Sequence, residues 1–243
     1  MIKAVRKGLP VVSVVIPTLN EEKYIGNTLK AIRSQDYQGQ IEIIVSDADS
    51  TDRTMEIAGK LADKTVVAEK GIARGRNTGA KGASGEILIF VDADTMLISN
   101  TVSELARAIQ HDGIVGATCP IVPMGCKRGE IIFYSVLNDI VKQTIRAKDP
   151  HIPTMCVAYS KKAFEFVGGF DENMDTYEDS DLSRRIGKLG RIKFVDSTLA
   201  VTSPRRLRNW GGAAASLMRY GLYSMYYKFT GNGVKIDKYK PVR

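Results

Sequence analysis

The chain has few cysteines: Cys119, Cys126 and Cys156 are the only three. They are odd in number and include no close pair at zinc-ligand spacing, which excludes a disulfide framework and a cysteine zinc site. Each lies near an apolar run, so they read as small core residues of a protein kept in a reducing, cytoplasmic compartment. No run of about 18 apolar residues occurs, which excludes a membrane-spanning helix. The basic first ten residues contain no apolar stretch of useful length, and nothing there points to secretion. The glycine-rich stretch Gly71-Ile72-Ala73-Arg74-Gly75-Arg76-Asn77-Thr78-Gly79 matches neither G-x-G-x-x-G after a strand nor G-x-x-x-x-G-K-[ST], which weighs against dinucleotide hydride transfer and P-loop phosphoryl transfer. Repeats and low-complexity tracts are also missing. What remains is a composition of 44% hydrophobic and 26% charged residues over 243 positions, enough for one large globular domain or two small ones.

Lys and Arg exceed Asp and Glu by eight (35 against 27). An anionic partner fits this excess: a nucleotide, a phospholipid surface or nucleic acid. A basic surface with no partner fits it equally well.

The pattern along the chain is more specific. A β-branched strand over 11–16 stops at Pro17, and an amphipathic helix follows Asn20, Glu21 and Glu22. The next strand over 41–45 runs into Ser46-Asp47-Ala48-Asp49-Ser50-Thr51-Asp52, and a second helix follows. A short strand over 65–68, a helix over 71–83 and the strand over 87–91 complete the alternation, which implies right-handed βαβ units and a mostly parallel sheet. Five apolar residues in succession, Ile87 to Val91, read as a strand buried on both faces. That strand ends in Asp92-Ala93-Asp94. Two carboxylates at such a place repel each other and resist desolvation unless a cation joins them or one takes a proton. Ligands in parallel sheets sit outside the carboxyl ends of the strands, which gathers Pro17, Thr18, Asp47, Asp49, Asp92 and Asp94 on one rim.

After Asp94 the alternation weakens. A helix around 102–109, a strand over 114–122 interrupted by Pro120, and a long helix over 129–148 with Ile131, Tyr134, Asn138, Val141 and Ile145 on one face lead to a strand over 153–160. In the acidic segment that follows, Leu182, Ile186 and Leu189 mark a buried helical stripe; Asp179 projects on that side and Asp181 opposite. Asp179 therefore suits a cleft-facing general base, with helix capping as the plainer role. Arg205, Arg206 and Arg208 then crowd beside Trp210, and a helix over 213–229 carries Leu217, Met218, Leu222, Met225 and Phe229 on one side with four tyrosines around it. Its pattern fits a membrane interface with the tyrosines at headgroup depth, or a packed terminal helix, or a homodimer contact. The expected organisation is a tail (1–10), one α/β domain (11–204) whose halves 11–98 and 99–204 face donor and acceptor, and a basic, aromatic segment (205–243).

Five stretches, in this order, resemble family 2 of the nucleotide-sugar-dependent glycosyltransferases with the GT-A fold. They are Ser13-Val14-Val15-Ile16-Pro17-Thr18-Leu19-Asn20-Glu21, the Asp47 to Asp52 segment, Ala73 to Gly79, Val91-Asp92-Ala93-Asp94, and Gly168-Gly169-Phe170-Asp171-Glu172 followed by Glu178-Asp179. The resemblance implies that Pro17, Thr18, Leu19 and Glu21 border the base and ribose of a GDP- or UDP-sugar, with Asp47 and Asp49 at the nucleoside and Arg76 near the diphosphate. It implies that Asp92 and Ala93 lie at the ribose, that Asp94, with Asp92, binds Mg2+ or Mn2+, and that Glu178-Asp179 is the catalytic pair of an inverting enzyme. Many members have Asp-Asp-Gly-Ser where this chain has Asp47-Ala48-Asp49-Ser50, so the nucleoside contact is expected to differ here. The apolar tail directs the reading to a lipid-linked acceptor of the polyprenyl-phosphate type at a peripheral membrane surface, with Arg205 and Arg206 gripping an acceptor phosphate. A soluble or saccharide acceptor is the nearer alternative. A nucleic-acid-binding module is the more distant one, disfavoured because strand-end carboxylates repel phosphates.

Overall fold

A computed structural model describes residues 8–125, 127–209 and 211–234; Cys126 and Trp210 lie outside the described residues. The first half runs β1 (Val12–Thr18), α1 (Ile25–Arg33), β2 (Ile41–Asp47), α2 (Thr54–Leu61), β3 (Lys64–Val67), α3 (Ile72–Lys81) and β4 (Ile87–Val91). The second runs β5 (Thr95–Leu97), α4 (Thr101–Ile109), β6 (Ile114–Thr118), β7 (Ile121–Pro123), α5 (Arg128–Arg146), β8 (Cys156–Ser160), α6 (Lys161–Phe166), α7 (Glu178–Gly187), β9 (Arg191–Phe194), β10 (Ala200–Thr202), α8 (Arg205–Asn209) and α9 (Ala213–Thr230).

Seven strands form one sheet in the order β3-β2-β1-β4-β8-β6-β9. The first four are parallel. β8 then enters antiparallel between β4 and β6, and β9 runs parallel to β6. Because β8 is reversed, Cys156 pairs with Val91, and the residues just before β8 arrive at the rim where β4 ends. Both faces of the sheet are covered. Val12, Val14, Ile16, Ile87, Ile89 and Val91 pack under α1 and α4, while Val15, Leu88 and Phe90 pack under α3, α6 and α7. That two-sided burial is what an unbroken apolar run such as 87–91 requires.

Several local expectations are corrected. β1 does not stop at Pro17: it continues to Thr18, with Pro17 opposite Ser46. Pairing of β1 with β4 ends at Val15, and the Thr18 carbonyl accepts from Ala48 N on the β2 side, so the proline ring nitrogen faces the open side where no ladder bond is needed. α1 starts at Ile25, after the acidic pair, with the Glu21 carbonyl accepting from Tyr24 N and Ile25 N. The segment 114–122 is two strands in two sheets, split at Pro120. Ile131 is exposed, because the buried face of α5 is Glu130, Tyr134, Leu137 and Val141. Leu189 is exposed because α7 ends at Gly187, so helical spacing no longer places it with Leu182 and Ile186.

A second, three-stranded sheet, β5-β10-β7, lies beyond the rim. Its pairing of β10 with β5 (Thr202 opposite Thr95) brings the chain after residue 202 back to Asp94. α9 packs against α5, and its orientation is the reverse of the usual amphipathic arrangement. Tyr227 is buried beside Tyr177, with Tyr220 and Tyr223 packed on the same cluster, while Met218, Leu222, Met225 and Phe229 are exposed. The expectation of tyrosines at headgroup depth is therefore corrected for three of the four; only Tyr226 is exposed. Among the described residues no helix is long and apolar enough to cross a membrane.

Candidate active site

The rim at the ends of β1, β2 and β4 is tied together before any ligand is considered. Asp47 is buried and accepts from Thr18 Oγ1 (2.7 Å) and Ser50 Oγ (2.6 Å) at one oxygen and from Ser50 N (2.8 Å) at the other. Its carboxylate is thus committed to holding two loops. Those loops are further joined by Asn20 N donating to Ser50 Oγ (2.8 Å) and Glu21 N donating to Thr54 Oγ1 (2.7 Å). Asp49 has φ 68°, the left-handed conformation that the glycine of Asp-Asp-Gly-Ser would adopt without strain. Its side chain turns outward, 3.8 Å from Lys70 Nζ. A cavity of about 160 Å3 lies beside this loop pair, bordered by Asn20, Tyr24, Thr51 and Arg205. Leu19 is half-buried at its base, and Ala93 is buried with its carbonyl accepting from Thr28 Oγ1 (2.7 Å), which anchors the turn between Asp92 and Asp94 on α1.

Two arginines organise the acidic groups. Arg76 is 3% exposed. Its Nη1 donates to Glu178 Oε1 (2.8 Å) and its Nη2 to Asp92 Oδ1 (3.1 Å), joining segments 102 residues apart. Burial works against its charge, but Asp92 and Glu178 hold the guanidinium above its ordinary pKa. α3 can deliver Arg76 to this depth because Gly79 lies against β1: a Cβ there would fall 2.4 Å from a Val15 methyl. The next residue, Asn77, clamps Phe170 through its backbone N (2.9 Å) and O (2.9 Å), which fixes the approach to the second acidic segment. The resemblance implied a diphosphate contact for Arg76; here both terminal nitrogens are engaged by carboxylates.

Arg205 holds the second pair. Its Nε donates to Asp94 Oδ2 (2.9 Å), its Nη2 pairs with Glu21, and its guanidinium lies 4.7 Å above the Tyr24 ring. The placement follows from the small sheet, since Ser203 N donates to the Asp94 carbonyl (3.1 Å) immediately before α8. Arg206 lines the main cavity, and it too acts on the Asp94 and Glu21 carboxyls.

That main cavity, about 260 Å3, opens between the rim, α5, α7 and α9, and is lined by Asp92, Asp94, Glu178 and Asp179 together with Tyr134, Tyr220 and Tyr223. Asp179 is partly open to the cavity yet densely surrounded by protein, and burial together with the adjacent Glu178 pushes its carboxyl up to about 7. A carboxylate poised there suits proton abstraction near neutrality. Asp181 faces away, accepting from Tyr227 OH (2.8 Å) and Arg185 Nε (2.7 Å). Behind Asp179, Tyr177 adopts φ 69°, and its hydroxyl lies 2.7 Å from His151 Nδ1. His151 is buried, and burial holds its pKa below the ordinary value. Sequence reading did not single out His151, since a lone histidine between Pro150 and Ile152 carries no spacing signal.

The rim fits a hard divalent cation. Burial raises the Asp94 carboxyl, and Asp92 adds to the shift; burial likewise raises Glu21, whose Oε2 is buried without a partner. Both stay raised although Arg205 and Arg206 pull the other way, because burial outweighs the two arginines. Among the described residues no group of three or more His, Cys, Asp or Glu side chains forms a complete metal site. A cation held by one or two carboxylates, with the remaining ligands from water and substrate oxygens, is the usual arrangement for Mg2+.

Mixed sheet order and strand-end carboxylates beside a cavity define a GT-A type α/β domain. The chain belongs to glycosyl transferase family 2, whose model matches residues 13–168. TarS of Staphylococcus aureus, a poly(ribitol-phosphate) beta-N-acetylglucosaminyltransferase, is 34% identical over 107 residues, covering 41% of this chain and 19% of TarS. The probable glycosyltransferase YdaM of Bacillus subtilis is 28% identical over 224 residues, covering 84% and 53% respectively. A GalNAc(5)-diNAcBac-PP-undecaprenol beta-1,3-glucosyltransferase of Campylobacter jejuni is 33% identical over 107 residues, covering 41% and 34%. The chain thus spans between a fifth and about half of these relatives. Among solved structures, the mannosyltransferase PcManGT from Pyrobaculum calidifontis in complex with GDP-Man and Mn2+ aligns over 98% of this chain and 69% of its own, with a TM-score of 0.67 and 23% identity. TarS 1–349 in complex with UDP aligns over 80% and 61%, with a TM-score of 0.63 and 24% identity.

Proposed function

We propose that the protein transfers a sugar from a GDP- or UDP-sugar, with inversion, to an acceptor carried on a lipid of the polyprenyl-phosphate type. One observation carries the reading: the carboxylates at the end of β4 and the raised Asp179 line a single cavity. Asp94, with Asp92, would hold Mg2+ or Mn2+, which when bound stabilises charge on the nucleoside diphosphate leaving group. The loop pair tied by Asp47 and Ser50 borders the nucleoside, with Pro17, Thr18, Leu19 and Glu21 around it and Asp49 outside. Arg76 keeps Asp92 and Glu178 in place. Asp179 accepts the proton of the attacking group on the face opposite the leaving group.

Two considerations support a lipid carrier: the relative from Campylobacter jejuni is named for an undecaprenol-linked substrate, and α9 displays Met218, Leu222, Met225 and Phe229 outward. That stripe, with Arg219 and Lys228 on the same helix, suits a peripheral membrane contact. Nucleic acid has no place in this reading.

The test is incubation with a panel of GDP- and UDP-sugars, with and without Mn2+ or Mg2+, following nucleoside diphosphate release. Release with one donor class, lost on chelation and in Asp94→Ala, is expected. Release from no donor, or Asp94→Ala retaining both turnover and metal dependence, overturns the assignment. For the membrane contact, anionic liposomes should float the wild type and not Leu222→Ser/Phe229→Ser; equal flotation refutes it, and a concentration-dependent dimer lost in that variant assigns the stripe to a second copy.

A further inference from the structure

α9 is turned so that its hydroxyl-bearing side faces inward. Ser216, Tyr220 and Tyr223 follow helical spacing along one face and line the main cavity opposite Asp179. Aliphatic residues of the same helix are left in the open, although burial of aliphatic side chains is what ordinarily orients a surface helix. The inward face packs Tyr220, Tyr223 and Tyr227 on Tyr177, and that packing accounts for the rings but not for every hydroxyl on the face. Ser216 is 4% exposed, and its Oγ is buried with no hydrogen-bond partner; the buried hydroxyl of Tyr220, next to Tyr177, has only the Ser180 hydroxyl within reach. Buried hydroxyls are nearly always paired, and leaving one unpaired costs about 1–3 kcal/mol. An unpaired hydroxyl one helical turn from a second, under-used one in the same cavity marks the place of a ligand with hydroxyls of its own.

Arg76, Arg206 and Arg219 line the cavity, but so do Asp92, Asp94, Asp175, Glu178 and Asp179. These charges are largely committed: Arg76 pairs with Asp92 and Glu178, and Asp92 and Asp94 face the proposed cation, so recognition beside Ser216 and Tyr220 falls to hydroxyls, which suit a neutral polyol. Aromatic rings with polar tips, here Tyr134, Tyr220 and Tyr223, offer both flat apolar surface and hydrogen bonds, which matches the two-sided character of a sugar ring.

We infer that Ser216 and Tyr220 form a saccharide subsite, and that the group attacking the donor is a sugar hydroxyl of a glycan head group and not the phosphate of its carrier lipid. The inference rests on the proposed nucleotide-sugar chemistry. In the step it implies, the acceptor O–H bond breaks and its proton passes to the Asp179 carboxylate. The acceptor oxygen bonds to the anomeric carbon, and the bond from that carbon to the diphosphate oxygen breaks, its electron pair leaving with the nucleoside diphosphate.

The experiment uses the full chain as wild type, Tyr220→Phe, Ser216→Ala and Ser216→Thr, with octyl glycosides of common hexoses and N-acetylhexosamines set against octyl phosphate. Transfer to a glycoside and not to octyl phosphate is expected. Glycoside KM should rise several-fold to about tenfold in Tyr220→Phe and Ser216→Ala, more than donor KM, with Ser216→Thr closer to wild type because it keeps the hydroxyl. A parallel arm measures glycoside binding directly by saturation-transfer NMR, where the same order is expected. Transfer to octyl phosphate alone, wild-type glycoside KM in both hydroxyl deletions, or no glycoside bound in the NMR arm overturns the subsite. If wild type releases no nucleoside diphosphate from any donor, the donor chemistry is at fault, and the NMR arm still decides whether the subsite exists.

Discussion

Two arginines in this protein each bridge two carboxylates, Arg76 between Asp92 and Glu178 and Arg205 between Asp94 and Glu21. Arg76 projects from a ten-residue helix laid against β1 and is sealed beneath Phe170, its guanidinium carbon 5.4 Å from the ring centre. Arg205 projects from a five-residue helix at the edge of the small sheet and rests on Tyr24 beside a solvent-open cavity. The same ion pairing therefore has two meanings. The first arginine is a fixed part of the core that happens to reach the site; the second neutralises carboxylates that a bound divalent cation would neutralise in its place.

If that contrast is right, the largest effect comes from Arg76→Met. The substitution keeps volume and leaves the buried Glu178 and the partly buried Asp92 facing each other without a cation, an arrangement whose cost is about 3–5 kcal/mol. Thermal or denaturant unfolding should show that loss at neutral pH. Added Mn2+, which Asp92 would help to hold, should recover only part of it, because Glu178 stays unpaired. An unfolding midpoint within a degree of wild type would end the distinction between the two arginines.

How much of this was legible beforehand follows from how local each feature is. Residues 87–91 announce a strand buried on both faces, and Asp92 and Asp94 follow directly, so the pair of strand-end carboxylates could be read without a structure. Asp179 was readable through Leu182 and Ile186, which share its helix; Leu189 misled because the helix had already ended. Pro17 misled because a proline is compatible with a central strand wherever one neighbour has stopped pairing, and that depends on β4 and not on β1. The pairing of Arg205 with Asp94 and Glu21 could not be read beforehand, because its position depends on three-residue strands pairing across more than a hundred residues, which no local pattern encodes. α9 was apolar around most of its circumference, so periodicity could not choose the inward face. The choice follows from Tyr177 and Asp181, which engage Tyr227, and Tyr177 is itself held by His151.

Asp179→Asn probes the cavity that Arg76 supports from below. With its carboxyl raised from 3.8 to about 7 by burial and Glu178, Asp179 binds a proton in the folded state over a range where the unfolded chain has released it. The folded state therefore loses stability relative to the unfolded one as pH rises from about 4 to about 7. The asparagine variant lacks this titration, so it should be more stable than wild type above pH 7, with the difference fading toward pH 4. Activity should move the other way, because only the ionised form accepts a proton. Turnover in wild type should climb with pH through the same region, and in Asp179→Asn it should fall by about 100-fold or more. Stability curves that stay parallel at every pH would remove Asp179 from the role of base.

The smallest effect is expected at Arg205, where it also sharpens the contrast most. Arg205→Ala removes a partly buried pair whose partners can be resolvated at the cavity mouth, so the loss of stability should be on the order of 1 kcal/mol. It also leaves Asp94 and Glu21, both already raised by burial, without their nearest cation. A divalent ion can take that place, and stabilisation by a ligand grows as RT ln(1 + [L]/Kd). Millimolar Mn2+ should therefore raise the melting temperature of Arg205→Ala more than that of wild type, recovering most of the deficit, and should bind it more tightly in calorimetry without nucleotide. Equal Mn2+ responses in wild type, Arg205→Ala and Arg76→Met would mean that neither arginine competes for the metal wall, and Arg205 would then be as fixed a part of the fold as Arg76.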